Sequence, residues 1–473
     1  MNEKLIRNII LLLLVVSTGL GLYAMISFSQ VNRIRADEFL SFLHSDPSFH
    51  PVVSEVWSNI SKGADNSYIH AVLLQQWFMG FGAGIISQRL LSFLFWAIGG
   101  FCLWMVLNEQ QKTVPHKLLF WVLVQFSNMG FLLANDGRFY SMHYSFMLVL
   151  FLLVLRYTRS GGKKLLPALS LVVLLSLLTT ALSAAGFVLL LLALLLLTLR
   201  KLVARERFIG VLIACAIPLV VYFSLFRIES FHRHFSTWLF SKPTADALSL
   251  KEFMGTPFRF MAMVDVPGMP DAVGVVVTLV LAGALLYVSR SKPVTARNHP
   301  FFFINELFLL FAALFVFQLI AHVIFGWPLW PYRYYAGMFW VFPLWLYQYT
   351  DITFSKNTAV LTLLLCAGIG LRMLDENAKI AERRKQIPVA VSGQTIFVEE
   401  FENYKTLAKM GEQYIRYPQA RPYLFLRLDS SSTERNAYFF LLQQQGDNLE
   451  TTTAPAHPLV KQVRGHESFL RER

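Results

Sequence analysis

Long apolar runs separated by short polar connectors dominate the chain. Eleven such runs, near 8–27, 89–107, 117–133, 139–155, 165–181, 183–199, 208–226, 272–289, 301–325, 334–349 and 358–374, come close to the about 20 residues an α-helix needs to cross hydrocarbon. They read as membrane spans. The first follows MNEKLIR and has no small-residue cleavage site behind it, so it is expected to be a retained helix with a cytoplasmic N-terminus. Tyr68 to Gly82 differs: it is short, carries Gln75 and Gln76 at its centre and ends in glycines that would cap it. Such a segment is expected to lie in the interface, not to span.

Parity depends on that segment. If it does not span, the inner connectors hold Lys112 and Lys117, then Arg156, Arg159, Lys163 and Lys164, then Arg200, Lys201, Arg205 and Arg207, then Arg290, Lys292 and Arg297. The short outer loops then hold only Arg138 and Arg333, which is the arrangement the positive-inside rule favours. Long polar stretches (28–88, 227–271 and everything after 374) fall outside and minimal ones inside. A protein built this way does its work on the outer face.

Beyond the last run the pattern changes. IPVAVSG (387–393) alternates like a strand, 397–415 has helical spacing, PYLFLRLD (422–429) is strand-like and 432–445 is helical. The expectation is a small soluble α/β domain over 375–473 behind a transmembrane domain over 1–374.

Composition agrees: 55% of the 473 residues are hydrophobic and 15% charged, which no soluble domain of this length carries. The formal charge of +13 would suggest nucleic acid in a soluble protein, but here the basic residues sit in the connectors. Cys102, Cys215 and Cys366 all lie in apolar runs and offer no disulfide framework or cysteine metal site. No phosphate loop, dinucleotide fingerprint or HExxH occurs. Chains of charged residues inside the spans, expected of a proton-coupled pump, are also missing.

Candidate chemistry gathers on the outer face. Asp37 and Glu38 follow the first span; Asp65 precedes the interfacial helix; Asp136, Arg138, Tyr140 and His143 mark the mouth of the fourth span; Arg333 and Tyr334 precede the tenth. Each has a simple structural use, as a helix N-terminal turn, an N-cap or a snorkelling belt residue. As a set they carry a chemistry. A carboxylate accepts a proton from an attacking hydroxyl, and arginines hold a departing phosphate through paired hydrogen bonds.

The order of these features resembles the GT-C superfamily of membrane glycosyltransferases, which includes the protein O-mannosyltransferases and the aminoarabinose transferases of lipid A. The family's acidic pair in the first outer loop is matched by Asp37 and Glu38. Its interfacial segment and the helix that follows are matched at Asp65, Trp77, Phe81, Gly82, Arg89, Leu90 and Ser92, with Ser67 and Tyr68 where the family has a proline pair. Its E-x-R-x-Y resembles Asp136, Arg138 and Tyr140, and its late R-Y resembles Arg333 and Tyr334. The resemblance covers roughly residues 1–350.

It implies an inverting transferase that draws a sugar from a polyprenyl-phosphate donor at the outer face of a bacterial inner membrane and passes it to a lipid, glycan or protein acceptor. Asp37 would be the base, with Glu38 its alternate. Arg138 and Arg333 would bind the donor phosphate, while Asp65, Asp136, Tyr140 and Tyr334 would order the site. A divalent cation is left open, since some relatives bind one. The rival readings are a flippase or transporter of envelope lipids, and an assembly protein that presents its tail.

Overall fold

The computed structural model describes residues 3–31, 34–47, 50–62, 67–110, 112–225, 249–265, 269–289, 302–350, 356–385, 424–429 and 436–441. The first long helix, α1 (Glu3–Val31), is followed by three short ones, α2 (Ala36–Ser45), α3 (Val53–Lys62) and α4 (Tyr68–Phe81). The bundle then continues through α5 (Ile85–Asn108), α6 (Val114–Gln125), α7 (Asn128–Asn135), α8 (Tyr140–Ser160), α9 (Leu165–Thr179), α10 (Ser183–Leu199) and α11 (Arg205–Leu225). After a short α12 (Leu250–Met254) come α13 (Asp271–Ser289), α14 (Phe302–Phe325), α15 (Val341–Tyr349) and α16 (Lys356–Lys385).

Six of these, α1, α5, α8, α11, α14 and α16, are long and apolar enough to cross a membrane, and α6 with α7 make a seventh if taken together. Their apolar residues lie all round the helix, as suits elements surrounded by lipid and by one another. The protein is a multi-pass membrane protein.

Two expected spans are not single helices. The run 117–133 bends by 63° between α6 and α7. Ser127 there is extended and its Oγ accepts from the Gly130 amide at 3.0 Å, an N-cap that starts a new helix. The run 334–349 begins as a 3-10 turn (Tyr332–Tyr335), passes through further turns and becomes helical only at α15. Apolar character continues through both breaks, so hydropathy alone does not register them. α4 is the short helix expected, closed by Gly82 at φ +80°.

Ion pairs define the two ends of the bundle. At one end Arg156 and Arg159 of α8 reach Glu109 after α5, Arg200 after α10 reaches Glu306 of α14, and Lys112 donates to the Thr350 carbonyl after α15. The basic connectors at 109–117, 156–164 and 200–207 are therefore together. At the other end lie α2, the start of α5, the α7–α8 turn and the 3-10 turn before α15. The stretch 332–350 thus runs from one end to the other although its helix has only nine residues. α1 and α16 pack side by side and parallel: the Asn377 amide donates to the Leu20 carbonyl at 3.2 Å, and Arg383 lies over Phe28 at 5.3 Å.

α16 continues to Lys385, past the expected boundary at 374. Farther on, β1 (Leu424–Asp429) pairs antiparallel with β2 (Asn436–Leu441), Leu424 facing Leu441. β1 is the expected strand. β2 corrects the helix expected over 432–445, since NAYFFL is rich in the aromatic residues that suit a strand. The expected strand at 387–393 and helix at 397–415 lie outside the described residues.

Candidate functional site

The acidic pair opens α2, and adjacent residues on a helix point about 100° apart. Asp37 and Glu38 therefore face different partners.

Glu38 faces inward. Arg89, at the start of α5, grips it with Nε to Oε1 at 2.6 Å and Nη2 to Oε2 at 2.8 Å. The amides of Gly137 and Arg35 donate to the same carboxylate at 3.2 and 3.4 Å. Glu38 and Arg89 are each 1% exposed, and the third guanidinium nitrogen of Arg89 donates to the Ser29 carbonyl at 2.6 Å. A buried carboxylate survives only with such pairing. Its neighbour Gln88 donates to the carbonyls of Glu38 and Gly137, both at 2.9 Å. The Ser92 hydroxyl donates to the Asp136 carbonyl at 2.6 Å. One turn of α5 thereby fastens both α2 and the Asp136–Arg138 turn. Gly137 is needed for that approach, because a Cβ there would lie 2.6 Å from Gln88 Cδ.

Asp37 faces the open side, with 19% of its side chain exposed. Its Oδ2 lies 3.0 Å from Arg138 Nη1 and 3.4 Å from Arg333 Nη2. Three stretches remote in sequence converge on one carboxylate oxygen. Arg138 Nη1 also donates to the Tyr140 hydroxyl at 3.4 Å, and its guanidinium lies 5.1 Å from the Phe139 ring and 5.5 Å from the Tyr140 ring. Arg333 lies over Tyr334 at 5.7 Å. Burial opposes the charge on Arg333, but Tyr140 and Asp37 facing it more than compensate and hold the guanidinium above its ordinary value. Both guanidinium groups rest on aromatic rings beside Asp37.

Asp136 is buried and meets Arg35 Nη1 at 3.4 Å. Burial lifts its carboxyl above the ordinary value; Arg35 pulls against this and Glu38 adds to it. Burial is the largest influence on Arg35 and opposes its charge, but Asp136, Tyr332 and Glu38 together outweigh it and hold the guanidinium above its ordinary value.

Of the residues expected from the sequence, Asp37, Arg138, Tyr140, Arg333 and Tyr334 come together. Glu38 and Asp136 sit behind them in separate ion pairs, and Asp65 lies outside the described residues. Among the described residues no three of His, Cys, Asp and Glu converge as metal ligands. Sequence reasoning missed the role of Gln88 and Gly137 and the partnership of Arg35 with Asp136. Arg89 entered only as a motif match, although an arginine opening an apolar helix is itself a signal that a buried anion awaits it.

No family model matches the chain, and none of the curated proteins does. Among solved structures the chain is similar to ArnT from Cupriavidus metallidurans bound to undecaprenyl phosphate, with TM-score 0.48, 10% identity and coverage of 90% of this chain and 97% of that one. It is also similar to the apo state of ArnT from Cupriavidus metallidurans, with TM-score 0.48, 11% identity and coverage of 84% of each chain.

Proposed function

We propose that the protein is an inverting glycosyltransferase that takes a sugar from a polyprenyl-phosphate donor at the outer face of a bacterial inner membrane. The observation that carries this reading is the single carboxylate oxygen of Asp37 held by Arg138 and Arg333 at one end of an apolar bundle. A base and two phosphate ligands are thus within reach of one another, at the end of the bundle opposite the basic connectors.

The reaction follows from the geometry. The acceptor hydroxyl oxygen attacks the anomeric carbon, its proton passes to Asp37, and the bond from that carbon to the phosphate oxygen breaks with inversion. Polyprenyl phosphate departs, its new charge met by Arg138 and Arg333 through bidentate hydrogen bonds. Without donor those arginines are spent on Asp37. An arriving phosphate, with more charge and more acceptor oxygens, draws the forks to itself and leaves the Asp37 oxygen open to accept a proton. Donor binding thereby arms the base, and donor is expected to bind first. Glu38, with both oxygens already taken, serves as the anchor of α2 and not as the base. Tyr140 and Tyr334 seat the two arginines, and Asp136 with Arg35 backs the turn that carries Arg138.

The same reading gives eleven crossings, with the N-terminus inside and a small domain after α16 outside. The parallel packing of α1 and α16 supports an odd number of crossings between them, and the basic connectors gathered at one end support the inside assignment. We take the sugar transferred to be a hexose or a pentose.

The test is transfer of labelled sugar from a polyprenyl-phosphate donor by purified protein. Asp37→Asn is expected to insert and accumulate normally and to lose about two to four orders of magnitude in turnover. Full activity of that variant removes Asp37 as base, and carrier crossing the bilayer with no sugar transferred points to a flippase.

A further inference from the structure

His143 sits on α8 one turn deeper into the bundle than Tyr140 and is 2% exposed. An imidazole at that depth inside a span is costly and calls for a use. One edge of the ring is held by two serines of the neighbouring helices. His143 Nδ1 lies 3.0 Å from Ser183 Oγ at the start of α10. The Ser183 hydroxyl in turn donates to the Ser176 carbonyl of α9 and accepts from the Ser176 hydroxyl, both at 2.8 Å. The orientation of the ring is thereby fixed.

The opposite edge meets the chain that follows Arg333. A Cβ on Gly337 would lie 2.3 Å from His143 Nε2 and 2.9 Å from Met147 Cγ, so the glycine backbone lies in the groove between two residues four apart on α8. Across from it, Gly186 of α10 leaves room for the same methionine, since a Cβ there would lie 2.5 Å from Met147 Cε. Packing this close transmits a displacement and does not absorb it.

Arg333 lies four residues before Gly337, in a run of tight turns. The Ala336 amide donates to the Arg333 carbonyl at 3.2 Å, and the Met338 and Phe339 amides both donate to the Tyr335 carbonyl at 2.9 Å. Trp340 Nε1 donates back to the Gly337 carbonyl at 2.7 Å, and the Tyr335 hydroxyl donates to Gln318 Oε1 at 2.7 Å. The link to the other arginine is as short: the His143 amide donates to the carbonyl of Phe139, the residue after Arg138, at 2.9 Å. His143 is thus a spacer between the stretch that carries Arg138 and the stretch that carries Arg333, at a point where both are stiff.

We infer that His143 is a positioning residue whose ring sets the spacing of the two arginines that bind the donor phosphate. This inference rests on the glycosyltransferase reading and deepens it. Two guanidinium forks grip one phosphate only when their separation matches its oxygens, and the ring acts on that separation through Gly337 and Arg333.

Binding of polyprenyl phosphate to the full chain in nanodiscs tests this without any transfer. His143→Asn keeps an amide within reach of Ser183 and removes the half of the ring that meets Gly337; Gly337→Ala drives a methyl into the ring. Each is expected to weaken binding about tenfold to a hundredfold, the worth of one charge-assisted hydrogen bond, and to raise donor KM while acceptor KM holds. His143→Gln, long enough to reach Gly337, is expected to retain most of the affinity. In an Arg333→Gln background the loss from either variant should disappear, because no fork remains to be misplaced. Where one variant fails to accumulate, the other decides in the same two backgrounds. Wild-type affinity in the variants, or an equal loss with and without Arg333, overturns the positioning role and leaves the donor assignment intact. A wild-type chain that does not bind polyprenyl phosphate overturns the transferase reading, and this role with it.

Discussion

Replacing Glu38 by Gln removes one charge and little volume from the most thoroughly satisfied carboxylate in the site. Glu38 accepts from Arg89 twice and from the Gly137 and Arg35 amides once each. Glutamine keeps a single acceptor oxygen and turns an NH2 group toward an arginine, so a buried cation loses its counter-charge. Removing one partner of a buried pair costs about 3–5 kcal/mol. At about 1.4 kcal/mol per factor of ten, local opening of α2 should rise by roughly two to three and a half orders of magnitude. Hydrogen exchange of purified protein, followed on peptides spanning 36–45 with α8 peptides as an internal standard, reads that opening directly. The double variant Glu38→Leu with Arg89→Met should recover much of the loss, because an apolar pair of similar volume tolerates the same burial. If exchange over 36–45 in Glu38→Gln stays within about threefold of wild type, the pair does not anchor α2 and the account of Asp37's placement fails with it.

Lysine at Arg138 or Arg333 preserves charge but not the fork, so donor KM should rise in either variant while acceptor KM holds; wild-type donor kinetics in both would reduce these residues to helix-end anchors. Burial lifts Asp136 above its ordinary value of 3.8 against the pull of Arg35, so the native chain holds that proton to higher pH than the unfolded chain. The stability this contributes is complete below the ordinary value and is lost as pH rises through the native one. Asp136→Asn should therefore gain melting temperature relative to wild type across that window, and parallel curves would contradict the shift. A periplasm-specific reporter fused after Lys385 should be active; a silent periplasmic reporter with an active cytoplasmic one would reverse the topology.

Apolar runs found the helices because lipid-facing and protein-facing positions are both hydrophobic, and α1, α5, α8 and α16 follow directly. The breaks at Ser127 and before α15 were not legible, because a capping hydroxyl and a run of turns leave hydropathy unchanged. Asp37, Arg138 and Arg333 stood out as charges collected on one face by parity. Their meeting at one oxygen could not be read, since it depends on Gln88 and Arg89 fastening two separate loops to α5. Gly137 looked like an ordinary turn residue until the Gln88 amide was seen packed where its Cβ would be. Arg372 was legible in principle, as a lone arginine within an apolar run, and passed unnoticed because its partner Asn128 is 244 residues away. The segment 432–445 misled because its leucines and glutamines mimic a helix, while Asn436–Leu441 within it pairs as a strand.

The wide spacing of these contributors along the chain has a consequence for biogenesis. Asp37 leaves the ribosome early, and Arg138 follows 101 residues later. At ordinary translation speeds Arg333 is synthesised roughly 10–40 s after Arg138, with Arg372 and Arg383 behind it. During that interval the nascent helices can insert and pack, but the acid has only one of its two cations. A chain stalled or clipped before residue 333 leaves a well-embedded but unfinished site. The site exists only once Arg333 has been made and packed beside Asp37.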